Sequence, residues 1–281
     1  MSTVAPTSRS SGSAKVDWVS QMRTAIKSRP TAAVFYGMPG IGKTSMAAAM
    51  PLPLFITGTG DVGIETLKST GQVDESIPNL PPCATMSDFL SQLDWAATFD
   101  HGRKTLVIDN LGDIESLVHA EVCRRDFGGD RTKFAQYETG ARVNSLDDIR
   151  SMLMVFDRVR EHGMSVILVG HARIQEIKDP STANYDKWMP DVSKYTWPLI
   201  NRWADMVIFQ SYVTHVIGAK DDTKKGKARG GQDRVMYCTN HASYEAKNRH
   251  NLPDELSMGD CGATAWTNLI TAVKEGKTSN V

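Results

Sequence analysis

The chain has 281 residues, of which 41% are hydrophobic, and a formal net charge of +0. That length holds one large or two small domains, and the zero balance excludes a global electrostatic pull toward nucleic acid, so such binding would need local patches. No apolar run reaches membrane-spanning length, no signal-peptide core opens the chain, and the scattered Cys83, Cys123, Cys238 and Cys261 lack zinc spacing; together these predict reduced thiols in a cytoplasmic protein.

Residues 1–14 are rich in Ser, Thr and Gly and are expected to form a flexible tail, leaving residues 15–281 as a single domain. Over 16–27, Val16, Val19, Met22 and Ile26 fall roughly on one face of a short helix. An apolar run over 31–36 then leads into Gly37-Met38-Pro39-Gly40-Ile41-Gly42-Lys43-Thr44-Ser45, and small residues suited to a helix follow to position 50. This is the full G-x-x-x-x-G-K-[ST] pattern in its strand–loop–helix setting. Glycines let the backbone curl so that successive N–H groups face an anion. Lys43 is expected at the β- and γ-phosphates and the Thr44 hydroxyl on Mg²⁺, so the loop predicts binding of ATP with Mg²⁺.

Prolines 51 and 53 end that helix; residues 54–57 read as a strand, 58–63 as a turn carrying Asp61, and the proline-rich 77–82 as loop. Thr85 and Asp88 form a capping box before a helical face of Met86, Phe89, Leu90, Leu93 and Ala97. TLVID over 105–109 reads as a buried strand, followed by a helix over 113–127 that breaks at Gly128-Gly129. Ser145 and Asp148 open a helix whose stripe is Leu146, Ile149, Leu153, Phe156 and Val159, ending at Gly163, and SVILVG over 165–170 is again a buried strand. Apolar strands alternating with helices predict an α/β fold, a mainly parallel sheet covered on both faces. Residues 204–217 and 234–240 read as a hairpin extending that sheet, and 264–274 as a closing helix.

Asp109 ends its strand 66 positions after Lys43 (109 − 43), where a carboxylate can hold Mg²⁺ beside the phosphates. Residues 172–198 are long for a connection and interleave Arg173, Lys178, Lys187 and Lys194 with Tyr185, Trp188, Tyr195 and Trp197. Aromatics stack on unpaired bases and cations track phosphates, so the composition suits single-stranded nucleic acid; it equally suits aromatics that pack the loop onto its own domain, Trp197 beside Pro198 above all. The connection over 218–233 adds Lys224, Lys225, Lys227 and Arg229, which suit a DNA backbone or a solvated hairpin tip. Lys247 and Arg249, one residue apart on an extended segment, should point to the same side.

The set GMPGIGKTS, TLVIDN, VGH, RWADMVIF and KNRHNLP resembles the RecA-like, AAA-type P-loop proteins that bacteriophages encode as single-strand annealing recombinases of the Sak type, over most of the chain. The KNRHNLP segment also looks like the KNRFG segment of RadA and the finger segment of DnaB-type helicases. The resemblance implies a RecA-like P-loop NTPase core with a C-terminal β-hairpin extension, and ATP-dependent binding of single-stranded DNA that promotes annealing or exchange. It also implies a homo-oligomeric ring or filament with nucleotide at the subunit interface, a single-strand-binding protein as helper, and the bacterial host cytoplasm. Lys247 and Arg249 would then act as fingers on a neighbour's γ-phosphate, and His171, after the VGH strand, would sense that phosphate. Two departures concern the water-activating carboxylate: Asn110 stands where AAA+ ATPases place a glutamate, and Thr59 where RecA-like ones do. Asp61 and Glu65 are the candidate substitutes. The rivals are a nucleotide-gated replication accessory protein or helicase loader acting through protein contacts, and a small-molecule kinase, which lacks an Arg-rich lid here.

Overall fold

The computed structural model of the chain describes residues 29–181, 183–217 and 227–278; the expected tail over 1–14 and helix over 16–27 lie outside them. Its centre is a set of parallel strands: β1 (Ala32–Gly37), β2 (Pro53–Thr57), β3 (Thr105–Asp109), β4 (Ser165–Ile177) and β6 (Met206–Ile217). With antiparallel β7 (Lys227–Tyr237) and β9 (Glu255–Ser257), the order across the sheet is β2-β3-β4-β1-β6-β7-β9. The parallel strands read as unbroken apolar runs because both faces are covered: every residue of β1, β2 and β3 is buried. Side-chain alternation divides them. Val34, Tyr36, Leu106 and Ile108 pack toward α3 (Met86–Thr98), α4 (Leu111–Phe127) and α6 (Ser145–Glu161). Ala33, Phe35, Val107 and Ile167 pack toward α1 (Lys43–Ala48) and α8 (Gly262–Thr278).

The local signals behave as their chemistry requires. Thr85 and Asp88 close the capping box on α3, whose inward face is Met86, Phe89, Leu93, Ala96 and Ala97; Leu90, expected on it, is exposed. Helix α4 ends at Gly128 in the left-handed region, and the short α5 (Arg131–Ala135) follows. Helix α6 starts at Ser145, but the serine does not cap it: its hydroxyl is buried and donates to the Gly140 carbonyl, inside a π-helical turn (Gly140–Asn144) that feeds the helix. The RWAD segment ties three elements together. Asp205 accepts from the buried Arg160 at the end of α6 (2.6 Å) and from the backbone N–H of Ala32 in β1 (3.0 Å), while Trp203 donates to Asp157 (3.0 Å).

The expected 172–198 loop is instead ordered structure. β4 runs on past Gly170 to Ile177 and returns as β5 (Tyr185–Pro190), an antiparallel hairpin, and Trp197 is the first residue of α7 (Trp197–Trp203), buried as expected of it. Ile174 pairs with Trp188 and Ile177 with Tyr185 across the hairpin, cross-strand partners that a pass along the sequence does not match up. The expected C-terminal hairpin is present: β6 and β7 pair antiparallel from Phe209↔Tyr237 to Ile217↔Lys227.

Candidate nucleotide site

The loop from Gly37 to Ser45 leaves the C-terminal end of β1, where parallel sheets place their ligands. Gly40 and Gly42 hold φ values of 74° and 107°, and a side chain on Gly42 would also meet the Arg234 guanidinium at 2.9 Å. Lys43 is 7% exposed, and its Nζ donates to the carbonyls of Gly37 (3.1 Å) and Met38 (2.9 Å), so the ammonium folds over the loop. Burial pulls its pKa down to about 8, against the attraction of Asp109 and Asp61. The Thr44 hydroxyl donates to Asp109 Oδ2 at 2.7 Å across the β1–β3 gap, which β4 spans. Burial, reinforced by Asp61, pushes the Asp109 carboxyl up to about 7, with Thr44 and Lys43 opposing.

These groups face a cleft of about 1100 Å³. A curled glycine loop, a desolvated ammonium and a hydroxyl–carboxylate pair of hard oxygens fit a nucleotide with Mg²⁺. Thr44 and Asp109 would hold the ion, which would supply positive charge to offset that of the phosphates. Asp61 also lines the cleft: Oδ1 accepts from the Gly63 N–H (2.8 Å) and Oδ2 from Asn110 Nδ2 (3.1 Å). Glu65 sits exposed on α2 (Gly63–Ser69), off the cleft wall, and so does Thr59 in the turn before it. His171, paired with Gly37 in the β1–β4 register, is exposed on the wall beside the loop.

Several residues on the wall were not anticipated. Asn110 caps α4 by accepting from the Asp113 N–H (3.0 Å), which brings Asp113 into the cleft; burial and Asp61 raise its carboxyl above the usual range while His171 lowers it. The Asn-x-x-Asp spacing directly after Asp109 carried that signal. Arg234 donates to the carbonyls of Ile41 (3.3 Å) and Gly259 (2.7 Å), supporting the phosphate loop from β7; only the hairpin's long-range pairing brings it there.

The expected DNA-contacting residues separate. Arg173 lines the nucleotide cleft rather than a loop, donating to the Val192 carbonyl (3.0 Å) with Asp191 at 3.6 Å. Lys187 corrects the expectation outright: it is 9% exposed and bound to Glu245 (2.8 Å) and Asn240 (3.1 Å). Trp188 is likewise committed, stacked on Phe209 with centroids 6.0 Å apart, because β5 lies over the core. Lys178 and Lys194 are exposed, the latter paired with Glu138 at 2.9 Å, and Tyr185 is half-buried. Lys224 and Lys225 lie outside the described residues; Lys227 and Arg229 are backbone positions of β7, opposite Ile217 and His215.

Lys247 lies in β8 (Lys247–Asn248), which pairs with Met206 and Val207 at the start of β6, away from the phosphate-loop end of the sheet. As expected, it and Arg249 point the same way: both donate to the Arg202 carbonyl (3.3 Å each), and Arg249 also reaches Asp205 (3.4 Å). Neither lines the cleft of its own chain.

Among the described residues no helix is long and apolar enough to cross a membrane, and no cluster of His, Cys, Asp or Glu forms a separate metal site. Comparison with curated proteins finds no match. A family profile described as an AAA domain matches residues 29–250, the whole span from the first described residue through β8. With its phosphate loop, its Thr44–Asp109 pair and its parallel sheet in place, the chain belongs to the AAA domain family of P-loop ATPases.

Proposed function

We propose that this ATPase binds single-stranded DNA in an ATP-dependent manner and promotes strand annealing or exchange, as the recombinases it resembles do, within a bacterial cytoplasm infected by phage. The observation that carries the reading is β4. It runs without a break from the cleft, at His171 and Arg173, into the β4–β5 hairpin, whose turn exposes Lys178 with Ile174 57% exposed along the way. A contact made at the phosphates therefore reaches the hairpin through one paired strand rather than through a flexible linker.

Lys247 and Arg249 support assembly in the same reading. Off their own cleft and side by side, they suit the finger role on a neighbour's nucleotide that a ring or filament would require. The test is a gel shift of labelled single- and double-stranded oligonucleotides across a salt series, with and without ATP. Tighter retention of single strands with ATP, weakening steeply with salt, is expected. Retention of neither strand, with or without ATP, would instead point to an accessory protein working through protein contacts.

A further inference from the structure

The carboxylates on the cleft wall are Asp61, Asp109, Asp113, Glu115 and Asp191, and all but one are visibly committed or turned to solvent. Asp109 is bound to the Thr44 hydroxyl. Asp61 uses one oxygen on the Gly63 N–H and the other on Asn110. Glu115 closes both oxygens on the Ser193 N–H, at 3.0 and 2.9 Å. Asp191 stands outside, 60% exposed, next to Arg173. Asp113 differs: among the described residues its Oδ2 is a fully buried oxygen with no hydrogen-bond partner. That oxygen is walled off from the cleft, so Asp113, half-buried on the wall, meets the space with the rest of its carboxyl.

The backbone is shaped around that oxygen. Asn110 fixes the first turn of α4, and Gly58 comes so close that a side chain there would lie 2.7 Å from Asp113 Cβ and 2.9 Å from Oδ2. Asn110 also donates to Asp61, so one asparagine holds both Asp61 and Asp113 on a wall that Lys43 shares.

We infer that Asp113 is the general base of ATP hydrolysis, in place of Asp61 or Glu65, taking the proton of the attacking water on its carboxylate. In the step, the water oxygen bonds to the γ-phosphorus and one O–H bond breaks, its proton passing to the Asp113 carboxylate. The bond from the γ-phosphorus to the bridging oxygen breaks, ADP leaves with the electron pair, and the proton is later returned to solvent. This rests on the cleft being the site of ATP hydrolysis.

The test measures ATP affinity and single-turnover hydrolysis in Asp113→Asn, Asp61→Asn, Glu65→Gln, Gly58→Ala and Lys43→Ala beside the native protein. Asp113→Asn keeps the shape and the helix cap, so it should bind ATP as the native protein does and lose roughly 100-fold or more in hydrolysis. Gly58→Ala, which keeps the carboxylate but displaces it, should lose hydrolysis too. A loss below about tenfold in Asp113→Asn is too small for a general base and overturns the assignment. So does a loss confined to Asp61→Asn or Glu65→Gln, or a failure of Asp113→Asn to bind ATP. Native-like hydrolysis in Lys43→Ala would be a different failure: the turnover would not come from this cleft at all.

Discussion

At the scale of single residues, the cleft is a place where burial and charge are set against each other. Asp109 titrates near 7 in the folded protein against its ordinary 3.8. Between those values the folded chain holds a proton that the unfolded chain has released. The group's contribution to stability is therefore fully present below 3.8 and is lost as pH rises through about 7. Asp109→Asn is isosteric and cannot ionise. Its stability relative to the native ligand-free protein, measured by urea denaturation, should rise with pH across that window, by at most about 1.4 kcal/mol per pH unit. A difference that does not change between pH 4 and 7 would mean the carboxyl ionises freely in the fold.

At the scale of elements, the β4–β5 hairpin shows how similar residues divide by register. Lys178 lies exposed at its turn, whereas Lys187, on the returning strand, is buried against Glu245. Lys178→Glu should weaken retention of single-stranded DNA and leave the urea midpoint unchanged. Lys187→Ala should do the reverse, lowering stability by roughly 1–3 kcal/mol because Glu245 keeps its buried oxygen without the ammonium. Equal effects of the two on DNA retention would remove the hairpin turn from the proposed contact. The capping box of α3 and the glycine stop of α4 were legible in the sequence because both are local, fixed by residues within one turn. Ser145 was not, because the chain before it winds into a π-helical turn whose carbonyl takes the hydroxyl instead.

At the scale of the whole molecule, the placement of β8 on the far half of β6 sets the expectation for assembly. Arg249→Ala should keep ATP affinity but lose turnover by roughly three orders of magnitude or more if it serves a neighbouring site. Mixed with Lys43→Ala protein, it should regain activity, since some interfaces then join an intact loop to an intact finger. Two variants shown by sedimentation to co-assemble yet remaining inactive would remove the finger role. The phosphate loop, the strand-end aspartate that pairs with Thr44, the alternating α/β order and the C-terminal hairpin were all legible in the sequence. Those depend on spacing, period and short-range chemistry, all carried by neighbouring residues. The fold alone settles that Arg173 and Arg234 border the nucleotide cleft, that Lys187 is spent inside the protein, and that Gly58 packs against the Asp113 carboxyl. Each of those outcomes is set by which strand lies beside which, a long-range pairing that no single stretch of chain encodes.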